Sequence, residues 1–251
     1  MCLAKQFLKC IPLQSVLEIG PFGRPRLKGD HVSYFDVLDQ PTLIARARAR
    51  GRADDCPFID YVSPTGDLSV VTEKFHSIFA SHALEHQPNL VRHLQQVEQL
   101  LLPDGRYWLI LPDKRYCFDH YRSITSLADV LGAWMDVRQV HTYTHVFEHR
   151  ILTTHNDAKR HWAGEHGETN MTAERVKSAM AEIAAADGGY IDVHAWRFTP
   201  ESFRALITQL ADLGLIGLRP VRVYNTPRDR QEFCAVLEAA PHQKEDSSAA
   251  G

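Results

Sequence analysis

The stretch Val16-Leu-Glu-Ile-Gly-Pro-Phe-Gly23 decides the fold of this chain of 251 residues. Its apolar run contains Glu18 and turns through Gly20 and Gly23, and a second apolar run then ends at Asp36. This pattern predicts a buried strand, a tight turn and a second strand that ends in a carboxylate. In an open α/β sheet, ligands bind at the carboxyl ends of the strands. A carboxylate there can accept hydrogen bonds from both hydroxyls of a ribose, so this region predicts an adenosine-type nucleoside site.

The turn distinguishes between nucleoside cofactors. Dinucleotide-binding loops use G-x-G-x-x-G because a pyrophosphate rests on the backbone and on a helix N-terminus. The loop here has only two glycines, and a proline two residues later disfavours that helix start: Gly20, Pro21, Phe22, Gly23. S-adenosylmethionine carries no phosphate and needs a carboxylate near its ammonium and sulfonium groups, which Glu18 supplies. The loop favours this methyl donor over NAD, although two glycines also suit an ordinary turn.

Composition narrows the class of protein. The net charge is −3, which disfavours a general nucleic-acid binder, and the 5 cysteines have no metal-ligand spacing. No apolar run is long enough for a signal peptide or a membrane span, so we expect a cytoplasmic protein. The length fits a single domain over residues 1–240, and the polar residues 241–251 are expected to form a disordered tail.

Strand-like runs alternate with helical periodicity along the chain. We expect strands at 16–19, 32–37, 59–62, 77–80, 107–111, 218–224 and 232–238, and helices at 89–102, 127–140, 173–186 and 199–213. The alternation predicts a Rossmann-like α/β sheet of seven strands, mostly parallel, with helices on both faces. The last two runs predict an antiparallel C-terminal hairpin. The His-rich residues 113–195 are expected to be a helical insertion after strand 5 that covers the ligand edge and selects the acceptor.

Three segments resemble a known family, the class I S-adenosylmethionine-dependent methyltransferases. They are VLEIGPFGRP at 16–25, YFDVLD at 34–39 and the long segment 75–119 from the fourth strand through the fifth. The segments 112–123 and 190–203 are similar to a bacterial subgroup of methyltransferase-domain proteins, some of which lie near glycosyltransferases. The resemblance implies a seven-stranded sheet with an antiparallel last strand. Phe22 stands where the family usually has a glycine.

The resemblance also implies which residues bind the methyl donor. They lie in the first loop, at the second strand end, after the third strand and after the fourth: Glu18, Gly20, Pro21, Phe22, Gly23, Asp36, Asp67, Leu68, Ser81 and His82.

The segment His82-Ala-Leu-Glu85-His86 matches H-x-x-E-H, a zinc-protease signature. On a helix the two histidines would lie one turn apart and could share a metal ion. The match falls just after the fourth strand, however, and Pro88 breaks the helix. We therefore expect no metal here, with His82 beside the donor methyl group.

Other histidines leave alternatives open. His141, His145 and His149 repeat every four residues, which fits either a packed or solvated helix face or a metal-binding stripe. Histidines elsewhere in the insertion could line a substrate pocket: His155, His161, His166 and His194.

The segment Asp113-Lys-Arg115 follows the fifth strand at the ligand edge. It fits substrate orientation by Arg115 as well as an ion-pair network that anchors the insertion. The catalytic candidates from the sequence are His82, His145 and Arg115.

The sequence as a whole predicts an enzyme that transfers a methyl group to a small-molecule or glycan acceptor, at oxygen. The alternative is a non-catalytic methyltransferase-like scaffold in glycan assembly, and a glycosyltransferase partner is compatible with either. An NAD-dependent reductase is disfavoured by the glycine pattern and by the C-terminal hairpin.

Overall fold

The computed structural model describes residues 3–51, 55–169 and 171–239, so the expected tail at 241–251 lies outside the described residues. Within them the chain forms a seven-stranded sheet in the order β3-β2-β1-β4-β5-β7-β6. The strands are β1 (Val16–Ile19), β2 (Val32–Asp36), β3 (Tyr61–Val62), β4 (Phe75–Ser81), β5 (Leu101–Pro112), β6 (Leu218–Val223) and β7 (Glu232–Ala239).

The helices are α1 (Leu3–Leu8), α2 (Gln40–Ala49), α3 (Leu90–Leu100), α4 (Leu127–Met135), α5 (Tyr143–Ile151), α6 (Ala158–Trp162), α7 (Ala173–Ala186) and α8 (Pro200–Asp212). Short 3-10 turns lie at Leu68–Val70, Leu84–His86 and Lys114–Tyr116. None of the described helices combines the length and the apolar character that crossing a membrane requires.

The predicted fold class is confirmed. β1 pairs in parallel with β2 and β4, and β5 continues the parallel set, whereas β7 runs antiparallel to both β5 and β6. The start of β7 therefore meets the end of β5, where Glu232 lies opposite Pro112. Because parallel strands end at the same edge, the ends of β1, β2, β4 and β5 and the start of β7 form one edge of the sheet.

The core lies mainly on one face of the sheet. There α3 and α8 each bury a periodic apolar stripe, which includes Leu94, Val97 and Leu206. The stripes pack against alternate residues of the strands, such as Ile78 and Leu109. The short α1 covers the other face through Phe7, which packs edge-on against Trp108 at 5.3 Å between ring centroids. The helices α4 to α7 lie between β5 and α8, where the helical insertion is expected.

The helix expected at 127–140 ends earlier, at Met135. The next residues form a Schellman turn, in which the Arg138 N–H donates to the Ala133 carbonyl and the Val137 N–H to the Trp134 carbonyl. Val137 takes the left-handed conformation in this turn, with a φ of 48°. Glycine is the usual residue at that position, and a β-branched residue is strained there.

Replacing this valine by glycine should stabilise the protein. The Val137 side chain is 59% exposed, so Val137→Gly loses little packing. It removes a left-handed strain of about 1 kcal/mol. The measurement is the midpoint of urea unfolding, which should rise.

Val70→Gly is the matched control, because Val70 is 42% exposed and is not in the left-handed region. It should lower the midpoint, since glycine there only adds entropy to the unfolded chain. A fall in both variants would contradict the assignment of strain to Val137.

Candidate active site

The end of β1 carries a buried carboxylate that holds the following loop. Glu18 is only 2% exposed and accepts hydrogen bonds from the backbone N–H of Arg26 at 2.8 Å and of Leu27 at 2.9 Å. Burial raises the pKa of Glu18 to about 7, although both backbone donors oppose the shift. The loop after Gly23 is therefore folded back onto the strand end.

The end of β2 carries a second buried carboxylate. Asp36 is 1% exposed and accepts from the Phe22 N–H and the Leu38 N–H, each at 3.2 Å. Burial raises its pKa above the ordinary value. Asp36 thus connects the turn after β1 to the end of β2.

Phe22 is in the left-handed conformation with a φ of 55°, although its ring is 46% exposed. Gly20 and Gly23 also have positive φ, so the whole turn has the backbone of a glycine loop. A Cβ on Gly20 would lie 3.3 Å from the Ala83 Cβ, which shows how closely this turn approaches the segment after β4. Phe22 therefore occupies a glycine-type position without the freedom of glycine.

These residues fit S-adenosylmethionine by the chemistry of their donor and acceptor set. Two carboxylates stand at adjacent strand ends on either side of a glycine-type turn. Each Asp36 oxygen accepts one N–H and keeps a second lone pair, and a pair of ribose hydroxyls needs two such acceptors. Asp36 itself is only 1% exposed beneath the turn.

Asp67, the residue that the resemblance places near the donor, faces α3 in this structure. Its carboxylate accepts from Arg92 Nη2 at 2.8 Å and from the Ser69 N–H at 3.0 Å, and it also contacts Gln96. Leu68 is buried at 1% exposure. The segment is thus anchored to the helix, and its role toward a ligand stays a prediction.

His82 directly follows Ser81, the last residue of β4, and joins the ends of two strands. Its Nε2 lies 3.0 Å from Glu232 Oε1 at the start of β7, and its Nδ1 lies 3.3 Å from Glu85 Oε1. Its φ is 54°, a left-handed strain of the kind that collects at functional sites. Burial alone would lower the pKa of His82, but both carboxylates outweigh burial and raise the pKa to about 10. His82 is therefore an imidazolium at neutral pH.

The H-x-x-E-H segment does not form the helix of a zinc-protease site. His82 lies outside the 3-10 turn Leu84–His86, and its imidazole points to Glu232. The His86 Nδ1 instead lies 2.9 Å from Asp192 Oδ1. The two imidazoles are therefore held by separate carboxylates.

An aspartate–histidine pair lies beside this cluster, and no sequence pattern identified it. The His194 Nδ1 lies 2.5 Å from Asp119 Oδ2, and the His194 Nε2 lies 4.0 Å from Glu85 Oε1. Arg122 donates to the other Asp119 oxygen at 2.7 Å. Burial opposes ionisation of Asp119, but His194 and Arg122 hold its pKa below the ordinary range. Asp119 therefore holds the Nδ1 side of His194 and leaves its Nε2 facing Glu85.

The other two catalytic candidates have partners of their own. Both Arg115 Nε and Nη2 donate to Asp113, at 2.9 and 2.7 Å, in the ion pair that the sequence analysis weighed as an anchor. His145 lies on α5, where burial lowers its pKa to about 4, and its ring packs edge-on against Trp196. Neither side chain makes a hydrogen bond or ion pair with His82 among the described residues.

The raised pKa of His82 predicts how stability depends on pH. Its folded pKa, about 10, exceeds the ordinary value of 6.5, so its contribution is complete below pH 6.5 and is lost as the pH rises toward 10. Glu232→Gln removes one carboxylate partner, which should lower the His82 pKa by about one to three units. Urea unfolding between pH 6.5 and 9.5 should show a smaller loss of stability in this variant than in the parent.

Glu238→Gln is the control, because Glu238 is on the same strand but forms only an exposed ion pair with Arg106 at 3.5 Å. Its pH dependence should match that of the parent. Parallel pH dependence in all three proteins would mean that His82 is not charged by Glu232.

Comparison with known proteins gives likenesses of fold only. No family model matches the chain, and no curated protein matches it. Among solved structures it is similar to the mitomycin 7-O-methyltransferase MmcR, at 13% identity and a TM-score of 0.44, covering 94% of this chain but only 53% of that one.

Two further solved structures that are similar to this chain carry the names of different enzymes, a methyltransferase and a putative alcohol dehydrogenase. The CcbJ methyltransferase from Streptomyces caelestis is 13% identical, with 95% of this chain and 88% of that one covered and a TM-score of 0.48. A putative Zn-dependent alcohol dehydrogenase from Rhodobacter sphaeroides is 14% identical, with coverage of 94% and 87% and a TM-score of 0.46. The sheet itself has seven strands, of which the last in the chain is antiparallel to its neighbours, and this is the sheet that the resemblance to class I methyltransferases implies.

Proposed function

We propose that this protein transfers a methyl group from S-adenosylmethionine to a hydroxyl of a small-molecule or glycan acceptor. One observation carries the proposal: Glu18 and Asp36 stand at adjacent strand ends, joined by the left-handed turn of Gly20, Phe22 and Gly23. A methyltransferase needs such an edge to bind an adenosine ribose without a phosphate site.

The donor side of the site is assigned to the turn and to the two carboxylates. The free lone pairs of Asp36 are assigned to the ribose hydroxyls, and Glu18 keeps the loop folded on the side assigned to the ammonium group. Bound there, S-adenosylmethionine supplies an electrophilic methyl group. Ser81, Asp67 and Leu68 border the same edge and remain donor-binding candidates.

The acceptor side is assigned to His194 and Asp119. With its Nδ1 proton held by Asp119, His194 can take the acceptor proton at Nε2. The resulting imidazolium would lie between Asp119 and Glu85, which is 4.0 Å from Nε2, so both carboxylates stabilise it. His82 is already protonated through Glu232 and Glu85, and its assigned role is therefore positive charge and orientation rather than proton removal.

The class of acceptor is inferred from the insertion at 113–195. This segment is polar and rich in histidine, which suits a hydroxylated ligand better than a lipid tail, because a lipid calls for an apolar pocket. A glycan acceptor, a glycosyltransferase partner and a cytoplasmic location form one consistent proposal. Arg115 and His145 remain acceptor-side candidates within it.

A second candidate function is a non-catalytic methyltransferase-like scaffold in glycan assembly. One observation favours it: Glu18 and Asp36 are only 2% and 1% exposed, and the oxygens of both accept backbone N–H groups. In a scaffold these carboxylates would only brace the loop. Donor binding separates the two functions.

Donor binding should be measurable by calorimetric titration with S-adenosylmethionine and with its demethylated product. We expect a dissociation constant in the micromolar range, on the order of a metabolic KM. Asp36→Asn should weaken it at least about tenfold, because charged hydrogen bonds to the ribose are lost. Asp39→Asn is the control, since Asp39 is exposed and only caps α2, a role that asparagine also fills.

No heat and no thermal shift at saturating donor would reject the enzyme and favour the scaffold. Equal weakening in the two variants would show that Asp36 is not the ribose ligand.

The assignment of the proton acceptor has its own test. His194→Gln should leave donor affinity within a few-fold and lower turnover by about a hundredfold or more, with loss of the acidic limb of the pH–rate profile. Turnover is followed by mass spectrometry of methyl transfer from labelled donor to candidate sugars. His145→Gln is the comparison, and a larger loss of turnover there would move the base to α5.

A further inference from the structure

Four histidine rings stack in the insertion. His120 and His166 lie face to face with centroids 3.6 Å apart, and His155 and His161 stack at 4.2 Å. The His161 ring also lies 5.3 Å from those of His120 and His166. The cluster joins the segment after β5 to α6 and to the loop that follows it.

Hydrogen bonds to carbonyl oxygens fix two of these tautomers. His120 Nδ1 lies 2.9 Å from the Arg115 carbonyl oxygen, and His161 Nε2 lies 3.1 Å from the His155 carbonyl oxygen. A carbonyl only accepts, so each of these nitrogens carries a proton, and in the neutral ring the opposite nitrogen is bare. An imidazole that donates one N–H to a backbone carbonyl has the arrangement of a metal ligand with its supporting contact.

The three rings face a shared space. His161 Nδ1 accepts a hydrogen bond from His166 Nδ1 at 3.0 Å, a proton that a bound metal would displace, and one nitrogen from each of His120, His161 and His166 lies within 4.8 Å of the others. His155 differs, because its Nε2 donates to the Glu165 carbonyl at 2.9 Å and its Nδ1 accepts from the Asp157 N–H at 3.2 Å. Three of the four rings therefore have a nitrogen to offer.

The three rings differ in how far solvent reaches them. His161 is only 2% exposed. His120 and His166 are only half-buried, so solvent or a further ligand can reach the shared space.

We propose that His120, His161 and His166 form a binding site for one divalent metal ion of the zinc type, with a fourth position open. Zinc binds imidazole nitrogen at about 2.0–2.1 Å, so tetrahedral ligands lie about 3.4 Å apart. The separation between His161 and His166 is already close to that value. The stacked rings of His120 and His166 have to turn apart, since a metal lies in the plane of each ring. Gly164 and Gly167, both with positive φ, flank the His166 loop.

The ion would link separate segments of the insertion. Tyr116 stacks on Trp162 of α6 at 3.9 Å, and the Tyr121 hydroxyl donates to the Gly167 carbonyl, so weaker contacts already hold the same parts together. His120 directly follows Asp119 in the chain. Metal binding would therefore stiffen the segment that carries Asp119. The proposal does not depend on methyl transfer.

A second group of potential ligands, Glu85, His86 and His194, belongs to the candidate active site. There Asp192 already holds His86, and Asp119 holds His194. Among the residues that the structure describes, no carboxylate holds a ring of the stacked cluster, and this cluster is the one assigned to the metal.

The test uses the full chain, free of any histidine tag and stripped with chelator. Titration with Zn²⁺ should give one saturable equivalent, and Co²⁺ should give the visible absorption of a tetrahedral site. His161→Gln and His166→Gln should each weaken Zn²⁺ at least about tenfold. His155→Gln is the matched control from the same stack, and it should bind within a few-fold of the parent.

Far-UV circular dichroism checks that each variant is folded, and His166→Gln keeps the test decisive because its loop carries no helix or strand. No saturable binding of Zn²⁺ to the parent would overturn the proposal. Unchanged binding in His161→Gln and His166→Gln would overturn it as well, as would loss of binding in Glu85→Gln alone, which would move the metal to the active site.

Discussion

The candidate site depends on the burial of one carboxylate, Glu85. It is fully buried, and a buried charge is tolerated only when opposite charges surround it. The His82 Nδ1 lies 3.3 Å from Glu85 Oε1, and the backbone carbonyl of Glu85 accepts from the Ala195 N–H at 2.7 Å. One residue therefore fixes the end of β4, the protonated state of His82 and the position of the segment that carries His194.

The donor edge shows a tension between stability and binding. Glu18 and Asp36 hold the turn after β1 through backbone N–H groups, and this bracing is what buries them. Phe22 adds left-handed strain to the same turn. Strain of this kind persists only where the surroundings enforce it, and it provides a local reason for the turn to open. The carboxylates that stabilise the loop are the same ones assigned to the ligand.

The insertion brings proton chemistry and the proposed metal site together along the chain. Asp119 orients His194 toward the sheet edge, and the adjacent His120 turns toward α6. The two neighbouring residues thus serve different clusters, with Asp119 buried at 1% exposure and His120 half-buried. A metal ion bound at His120 would affect the acceptor side only indirectly, by limiting the movement of the segment that carries Asp119.

The sequence by itself determined the sheet and its ligand edge. These features can be recognised locally, because each depends on residues within a few positions of one another: the apolar runs, the glycine turn and the carboxylates at 18 and 36. The Asp119–His194 pair joins residues 75 positions apart, and the His82–Glu232 pair joins residues 150 positions apart. With 14 histidines in the chain, spacing alone could not select these partners. Only the tertiary structure decided them, because the antiparallel β7 brings Glu232 to the end of β5 and the insertion folds His194 back over the same edge.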